Sequence, residues 1–233
     1  MNLRGYKNIL FDCDGVVLNS NSVKTSAFRE LALPFGELAS VALVGFHTEN
    51  GGLSRYMKIE HFVNAILPAH AIDIMPSEKP KFVRSLLTEF AAGVKGALLE
   101  CDVADGLPYL RNAIPDVPWF IVSGGDQGEL REIFEQRSLD KYFDGGIYGS
   151  PEDKFNIIAG LFDRGQIRRP SLFLGDSRLD HQVAAAFGID FVFVSQWTEF
   201  AEWRQYCQRN KIRVVRSIGD LVAIKSGPIG FLL

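Results

Sequence analysis

The chain has few cysteines and no long apolar run at its start. Cys13, Cys101 and Cys207 are far apart and form no Cys-x-x-Cys pair, so the sequence predicts free thiols rather than a zinc or redox site. The N-terminus MNLRGYKNILFDCDG lacks the apolar stretch of a signal peptide. No run approaches the ~20 apolar residues that a membrane helix needs. We therefore expect a cytoplasmic protein with no membrane partner.

The chain also lacks an excess of basic residues, internal repeats and low-complexity segments. Its formal net charge is −3 and its pI is near 5.8, which argues against a nucleic-acid partner. The residues are 47% hydrophobic and 23% charged, a composition typical of a globular fold. A homodimer is left open. The apolar C-terminal stretch GPIGFLL is expected to dock on the body of the protein or on a partner.

Short runs rich in Val, Ile and Phe recur along most of the chain and predict buried strands. They cover residues 7–12, 117–125, 145–150, 171–176, 190–195 and 212–215. Helical spacing fills intervals between them, at 127–137, 153–163 and 179–187. Alternating strands and helices predict a Rossmann-like α/β core of three layers, in which a parallel sheet is covered on both faces.

The interval between the first two strands is much longer than a crossover requires. From about residue 20 to residue 102 the sequence shows helical patterns such as VKTSAFRELAL, LSRYMKIEHFVNAIL and KFVRSLLTEF, and no convincing strand. An ordinary crossover needs only about a dozen residues. The sequence therefore predicts an α-helical cap domain over residues 19–102, inserted into a core formed by residues 1–18 and 103–233.

Two aspartates follow the first predicted strand in the stretch ILFDCDGVVLNSN, residues 9–21. Ligands of parallel sheets bind outside the carboxyl ends of the strands, which is where Asp12 would lie, with Asp14 in the exit loop. The pair is suited to chemistry that needs two carboxylates. The alternative is structural, with Asp14 and Gly15 forming a turn and Asp12 capping a backbone amide.

Residues suited to binding an anion or a cation also follow three further predicted strands. Ser123 and Gly124 follow one strand and could approach an anion, although they could also form a simple turn. Lys154 begins a helix, where its charge opposes the helix dipole and needs solvent or an anionic partner. Asp176 follows a strand and Asp180 comes four residues later, so the two would share a helix face; the alternative is an N-cap at Asp176 and a solvated Asp180.

Together, FDCDGVVLNS, VSGG, Lys154 and GDSRLD resemble the four motifs of the haloacid dehalogenase-like hydrolase superfamily. The resemblance covers the core from end to end. The insert after the first motif resembles the helical cap of the branch that includes phosphoglycolate phosphatases and β-phosphoglucomutases. One departure is the position of Lys154, three residues after Pro151, since many relatives place this lysine just before a proline. Lys141 is the alternative.

The resemblance implies a role for each matching residue. Asp12 corresponds to the nucleophile that becomes an aspartyl-phosphate, and Asp14 to the general acid and base. Ser123 and the Gly124 amide would hold the phosphoryl oxygens, and Lys154 would steady the charge on Asp12 and on the phosphoryl group.

The resemblance also implies a Mg²⁺ cofactor. Its ligands would be Asp12, Asp176 and the backbone carbonyl of Asp14, with Asp180 either a direct ligand or in contact with one. Dehalogenases and phosphonatases of the superfamily lack an aspartate two positions after the nucleophile. Because this chain has Asp14, phosphoryl transfer is favoured.

The cap stretch FHTENGGLSRYMK, residues 46–58, resembles the substrate-contacting loop of β-phosphoglucomutases. Arg55, with His47 and Lys58, could contact a second anionic or polyhydroxyl part of the substrate, or Arg55 could lie on a solvated surface. We expect a Mg²⁺-dependent phosphatase of a small phosphorylated metabolite, a sugar phosphate or a phosphoglycolate-like acid. The alternatives are a phosphohexose mutase and a binding module that has kept the fold.

Overall fold

A computed structural model of the protein describes residues 1–223, and its core is a single sheet of six strands. The strands are β1 (Asn8–Phe11), β2 (Trp119–Asp126), β3 (Gly146–Ser150), β4 (Ser171–Gly175), β5 (Asp190–Val194) and β6 (Arg213–Val215). All neighbouring strands are parallel, in the order β3-β2-β1-β4-β5-β6. The six predicted strands and the parallel three-layer core are confirmed. The apolar stretch GPIGFLL lies outside the described residues.

The central strand β1 is apolar throughout because helices cover both faces of the sheet. Ile9 and Phe11 belong to the larger core cluster, whereas Leu10 belongs to a second cluster. Successive side chains of a strand point to opposite faces, so one NILF run serves two layers. The Phe11 and Trp119 rings of adjacent strands pack with centroids 4.8 Å apart. This strand pairs with β2 on one side and β4 on the other, which brings three strand ends together.

Helices make up the remainder of the regular structure. Between β1 and β2 lie α1 (Asn21–Ala32), α2 (Glu37–Glu49), α3 (Arg55–His61), α4 (Leu67–Ala69), α5 (Lys79–Glu100) and α6 (Leu107–Ala113). After β2 come α7 (Gln127–Gln136), α8 (Lys154–Asp163), α9 (Arg178–Ala186), α10 (Trp203–Arg209) and α11 (Asp220–Ala223). Among residues 1–223, no helix combines the length and the apolar character needed to cross a bilayer.

The two chain segments that lead into and out of the helical insert run side by side. Leu18 forms an antiparallel bridge with Val103, and the Asn19 amide donates to the Asp102 carbonyl at 2.9 Å. On the other side the Ala104 amide donates to the Val17 carbonyl at 2.9 Å. The predicted cap, residues 19–102, contains α1 to α5. The exact domain boundaries at 18/19 and 102/103 stay a prediction.

The helices of the insert differ from the sequence patterns in two places. Helix α2 is not among the helical patterns that the sequence shows clearly, because its own apolar residues are not confined to one face. Leu38 and Val41 are exposed, whereas Leu43 is buried. The segment 53–67, predicted to be one helix, is helical but is not a regular α-helix throughout. It consists of α3, a five-residue π-helical segment and the start of α4.

Candidate active site

The first aspartate of the exit loop lies directly after β1, at the carboxyl edge of the sheet. Its amide donates to the Leu174 carbonyl of β4 at 2.9 Å, which continues the ladder one residue past the strand. The Asp12 carboxylate is almost fully buried, and its Oδ1 accepts a hydrogen bond from the Cys13 amide at 2.7 Å. Backbone pairing on a central strand therefore fixes the position of this carboxylate.

Lys154 pairs with the second carboxylate oxygen of Asp12. Its Nζ lies 2.8 Å from Oδ2 of Asp12 and 2.6 Å from Oδ1 of Asp180. Lys154 is the first residue of α8, and both carboxylates offset the unfavourable placement of a cation at a helix start. Its side chain is buried, so solvent is not what accommodates this charge. The alternative, Lys141, is exposed and lies against the ring of Tyr142.

The ionisation of this pair is set by burial and by neighbouring charge. Burial disfavours the ammonium of Lys154, but the carboxylates of Asp12 and Asp180 outweigh it and raise its pKa above the ordinary lysine value. For Asp12, burial dominates and raises the pKa to about 7, with Asp180 and Asp14 adding to the rise and Lys154 opposing it. Without a further cation near it, this carboxylate is only partly ionised at neutral pH.

Asp176 completes a group of three carboxylates. One oxygen from each of Asp12, Asp176 and Asp180 lies within 4.8 Å of the others. Burial, together with the charges of Asp12 and Asp180, raises the pKa of Asp176 well above its ordinary value. Three carboxylates thus surround one ammonium, so the site is short of positive charge. Oxygen ligands and negative charge are what a divalent cation such as Mg²⁺ requires.

The three carboxylates are not equally available to a metal. Oδ2 of Asp180 accepts from the Ser177 hydroxyl at 2.6 Å and from the Ser177 amide at 3.1 Å, while its Oδ1 accepts from Lys154. Asp176 accepts from the Asn21 side-chain amide at Oδ2, 2.8 Å away, and Oδ1 has no hydrogen-bond donor among residues 1–223. The helix N-cap is Ser177, and Asp180 is fully buried, so the capping alternative at Asp176 is wrong.

Gly15 allows the exit loop to turn beneath Asp176. Its φ is +75°, a conformation that favours glycine. A Cβ added there would lie 2.1 Å from Oδ2 of Asp176. The turn places Asp14 next to α1, where Oδ2 pairs with Lys24 Nζ at 2.6 Å and Oδ1 accepts from the Ser20 hydroxyl at 2.6 Å.

These contacts shift the pKa of Asp14 in the direction opposite to that of Asp12. Burial raises the pKa of Asp14, but Lys24 and the Ser20 hydroxyl outweigh burial and lower it below the ordinary value. Two neighbouring aspartates therefore differ in their affinity for protons, as acid–base chemistry with divided roles requires. The sequence analysis did not identify Lys24, Ser20 or Asn21. Ser20 and Lys24 are four residues apart at the start of α1, which was the available signal.

The glycines after Ser123 form part of a pocket, whereas Ser123 does not. Ser123 is fully buried, and its hydroxyl accepts from the Gly125 amide at 3.0 Å. Gly124 and Gly125 line the pocket. A Cβ on Gly124 would lie 2.3 Å from the carbonyl oxygen of Gly52, so the loop of the insert closes directly over this end of β2. The binding of phosphoryl oxygens by Ser123 stays a prediction.

One pocket collects residues of the core and of the insert. It encloses about 770 Å³, counting its opening to solvent. Its core residues include Asp12, Asp14 and Asp176. From the insert come Arg55 and Lys58, together with aromatic walls. Lys154 and Asp180 are not among the lining residues, but Lys154 contacts Asp12, which is.

Arg55 connects the insert to the core. Both of its terminal nitrogens donate to the carboxylate of Glu129 on α7, one of them at 2.9 Å. The neighbouring Tyr56 hydroxyl donates to Oδ2 of Asp126 at 2.6 Å. Arg55 is 6% exposed, so the alternative of a solvated surface residue is wrong. Its guanidinium is already occupied by a carboxylate, a partner that sequence reasoning missed because Glu129 is 74 positions away.

No protein-family model matches the sequence, and no curated protein matches it. A predicted phosphoglycolate phosphatase from Haemophilus somnus superposes with a TM-score of 0.73 at 15% identity, covering 97% of this chain and 100% of that one. The haloacid dehalogenase-like family protein SP0104 from Streptococcus pneumoniae superposes with a TM-score of 0.63 at 17% identity, covering 96% and 100%.

The chain has the fold of the haloacid dehalogenase-like hydrolases. A candidate hydrolase of that group, YfnB from Bacillus subtilis in a magnesium-bound form, also superposes, with a TM-score of 0.63 at 17% identity and coverage of 94% and 98%. The three superpositions cover 94–97% of this chain and so include the insert, and the haloacid dehalogenase-like core with a cap is confirmed at the level of the fold. In this fold the carboxylate cluster lies at the carboxyl edge of the sheet, beneath the cap.

Proposed function

We propose that the protein is a Mg²⁺-dependent phosphatase that hydrolyses a small phosphomonoester through an aspartyl-phosphate on Asp12. The observation that carries this proposal is the buried Asp12 carboxylate at a strand end, paired with Lys154, grouped with Asp176 and open to a pocket beneath the cap. A carboxylate in such a place is suited to attack a phosphorus atom held in the pocket.

The described residues fit Mg²⁺. We assign Asp12, Asp176 and the backbone carbonyl of Asp14 as its ligands, with Asp180 acting indirectly because Lys154 and Ser177 already occupy its oxygens. The bound cation would offset the repulsion between the attacking carboxylate and the anionic phosphoryl group. The magnesium-bound state of YfnB is consistent with a Mg²⁺ cofactor.

The chain's own residues divide the remaining work. An oxygen of Asp12 attacks phosphorus while Asp14 gives a proton to the departing ester oxygen. In the second half Asp14 takes a proton from water, and that water attacks the phosphorus and frees Asp12. Lys154 stays protonated throughout and offsets charge on Asp12. The amide of Gly124 is available at the pocket wall to bind a phosphoryl oxygen.

Asp14 must acquire a proton before it can act as an acid, although its pKa is lowered in the empty pocket. An incoming phosphoryl dianion raises the pKa of a nearby carboxyl. Asp14 therefore takes up a proton when the substrate binds. Lys24 opposes this step and favours the later one, in which Asp14 is the base.

Lys24→Met should therefore move the whole pH profile of kcat upward by ~1 pH unit, because removing the cation raises the pKa of Asp14. The measurement is kcat against pH with a chromogenic aryl phosphate. Lys95→Met is the matched control, since Lys95 pairs with Glu132 on the surface. A profile that keeps its position in Lys24→Met would contradict the assigned role of the Lys24–Asp14 pair.

Arg55 is expected to act through cap closure rather than as a free anion-binding group. Arg55→Met and Glu129→Gln should each destabilise the protein by ~2–3 kcal/mol, because each leaves one charge of a buried pair without its partner. Both should raise KM for a small aryl phosphate. Glu37→Gln is the control, as it breaks an exposed pair with Arg29 worth less than ~1 kcal/mol.

If Arg55 instead binds the substrate directly, the two variants will differ. Arg55→Met alone will then raise KM, and Glu129→Gln will lower it by freeing the guanidinium. Thermal melting and steady-state kinetics of the two variants decide between these outcomes.

A panel of phosphosugars and phosphorylated hydroxy acids, incubated with Mg²⁺, tests the proposed function. Release of inorganic phosphate supports the phosphatase. An isomerised phosphosugar that requires a bisphosphate primer identifies a phosphohexose mutase, for which a cap loop closed over Gly124 would exclude water. If neither product forms, the chain is a binding module with this fold. The cytoplasmic location and a homodimer stay predictions from the sequence.

A further inference from the structure

Lys58 differs from the other cations that line the pocket. Lys24 is paired with Asp14 at 2.6 Å, and Arg55 is paired with Glu129. Arg178 lies 4.0 Å from Glu202. Within residues 1–223, no carboxylate lies within 4.0 Å of the Lys58 ammonium, and its hydrogen-bond partner is Nδ1 of His47 at 2.7 Å.

His47 cannot supply the missing negative charge. Burial, together with the charges of Lys58 and Lys24, lowers its pKa to about 3, so the ring is neutral. A protonated lysine has donors only, so Nδ1 of His47 must accept and its ring proton lies on Nε2. This contact orients the ammonium without neutralising it.

The positive charge on Lys58 is consequently costly in the empty pocket. The residue is 3% exposed, and burial lowers its pKa to about 7. The charges that face it act in both directions: Lys24 and Lys154 lower the pKa, while Asp14 and Glu199 raise it. A buried cation without a close counter-ion is unfavourable, and an anion placed beside it removes that cost.

We propose that Lys58 binds a second anionic group, a carboxylate or a phosphate, on the part of the substrate that leaves. Lys58 lies on the cap side of the pocket that contains Asp12, and Phe28 and Phe90 line the wall. The two rings pack on each other with centroids 4.3 Å apart, so they form one apolar wall against which a short carbon chain between two anions can lie. The inference rests on the proposed function for its substrate class. Of Arg55, His47 and Lys58, which the sequence suggested together for this contact, it assigns the anion to Lys58.

Binding of unreactive phosphonates tests this subsite without turnover. The probes are 3-phosphonopropionate, its primary amide, which keeps the phosphonate but lacks the carboxylate charge, and propane-1,3-bisphosphonate. Each is titrated by calorimetry in the presence of Mg²⁺. The wild type should bind one or both doubly anionic probes about 10–100-fold more tightly than the amide, the scale of one charge-assisted contact. The stronger of the two identifies the second anion as carboxylate or phosphate.

Three variants isolate the contribution of Lys58. Lys58→Met should abolish the preference over the amide, and Lys58→Gln is a second neutral variant in case the first does not fold. Lys95→Met, which removes an exposed cation, should retain it. Each variant is accepted only if its thermal transition stays cooperative.

The outcomes separate the subsite from the proposed function. Equal affinity of the wild type for the acid, the bisphosphonate and the amide overturns the inference, as does a preference that survives in both neutral variants or a failure to bind any probe. Phosphate release from an aryl phosphate is measured alongside. A preference for double anions without any turnover would support the subsite and reject the phosphatase.

Discussion

Asp12→Asn should lower kcat on the order of 10⁴-fold or more, because an amide cannot form the phosphorylated intermediate. The side chains have the same shape, and the change removes one of three crowded carboxylates whose charge burial already disfavours. Lys154 keeps its contact with Asp180. We therefore expect the melting temperature to be retained while activity is lost.

Two further variants make this result specific. Asp14→Asn should lose only ~10²–10⁴ of kcat, because it removes proton transfer but leaves the nucleophile. Asp163→Asn, which changes an exposed aspartate at the end of α8, should behave as the wild type. Intact mass after a brief exposure to aryl phosphate should show a phosphoryl adduct in Asp14→Asn and none in Asp12→Asn. Normal turnover in Asp12→Asn would remove the basis of the mechanism.

Removing divalent cations with excess chelator should abolish turnover, and Ca²⁺ should inhibit it. Ca²⁺ prefers more oxygen ligands at longer distances, which would displace the attacking oxygen of Asp12. Mg²⁺ should restore activity after the chelator is removed. Unchanged turnover in the chelator would reject the proposed role of the metal.

The same carboxylates predict how stability depends on pH without the metal. Between the ordinary aspartate pKa of 3.8 and the Asp12 value of about 7, the Asp12 carboxyl binds more protons in the native protein than in the unfolded chain. The contribution of Asp12 to stability in chelator should therefore fall as the pH rises through this window, whereas that of His47, whose pKa is lowered, rises in the lower part of it. Mg²⁺ binds the ionised form, so it should raise the melting temperature more at pH 8 than at pH 5. Asp176→Asn should reduce that increase, and an equal increase at both pH values would contradict the assigned ligands.

The sequence alone was sufficient to predict the layers of the core and the grouping of polar residues at one edge of the sheet. Uninterrupted apolar runs such as NILF occur where a strand is buried on both faces, and this local signal does not depend on the neighbouring strands. The residues at the strand ends were equally predictable, because the carboxyl ends of parallel strands share one edge. For the same reason Asp12, Lys154 and Asp176 could be expected to lie together.

Helix α2 shows where local pattern was not enough. Three of its four buried residues, Ala39, Leu43 and His47, are spaced by four, but exposed Leu38 and Val41 obscure that period. Which of its apolar side chains are buried depends on the contacts with α1. The sequence cannot show this without the arrangement of the helices.

The sequence determined which residues of this protein could carry the chemistry, and the tertiary structure decided their partners. Asp14 was recognisable from its neighbours, but its pairing with Lys24 depends on the turn at Gly15. Arg55 was recognisable as a cap cation, yet folding pairs it with Glu129 and leaves Lys58 beside a neutral histidine. Hydrophobic periodicity is a pattern of neighbouring residues and is visible in the sequence. The energy of a charge depends instead on burial and on residues distant in sequence. The ionisation of each group was therefore decided only when the cap and the core came together.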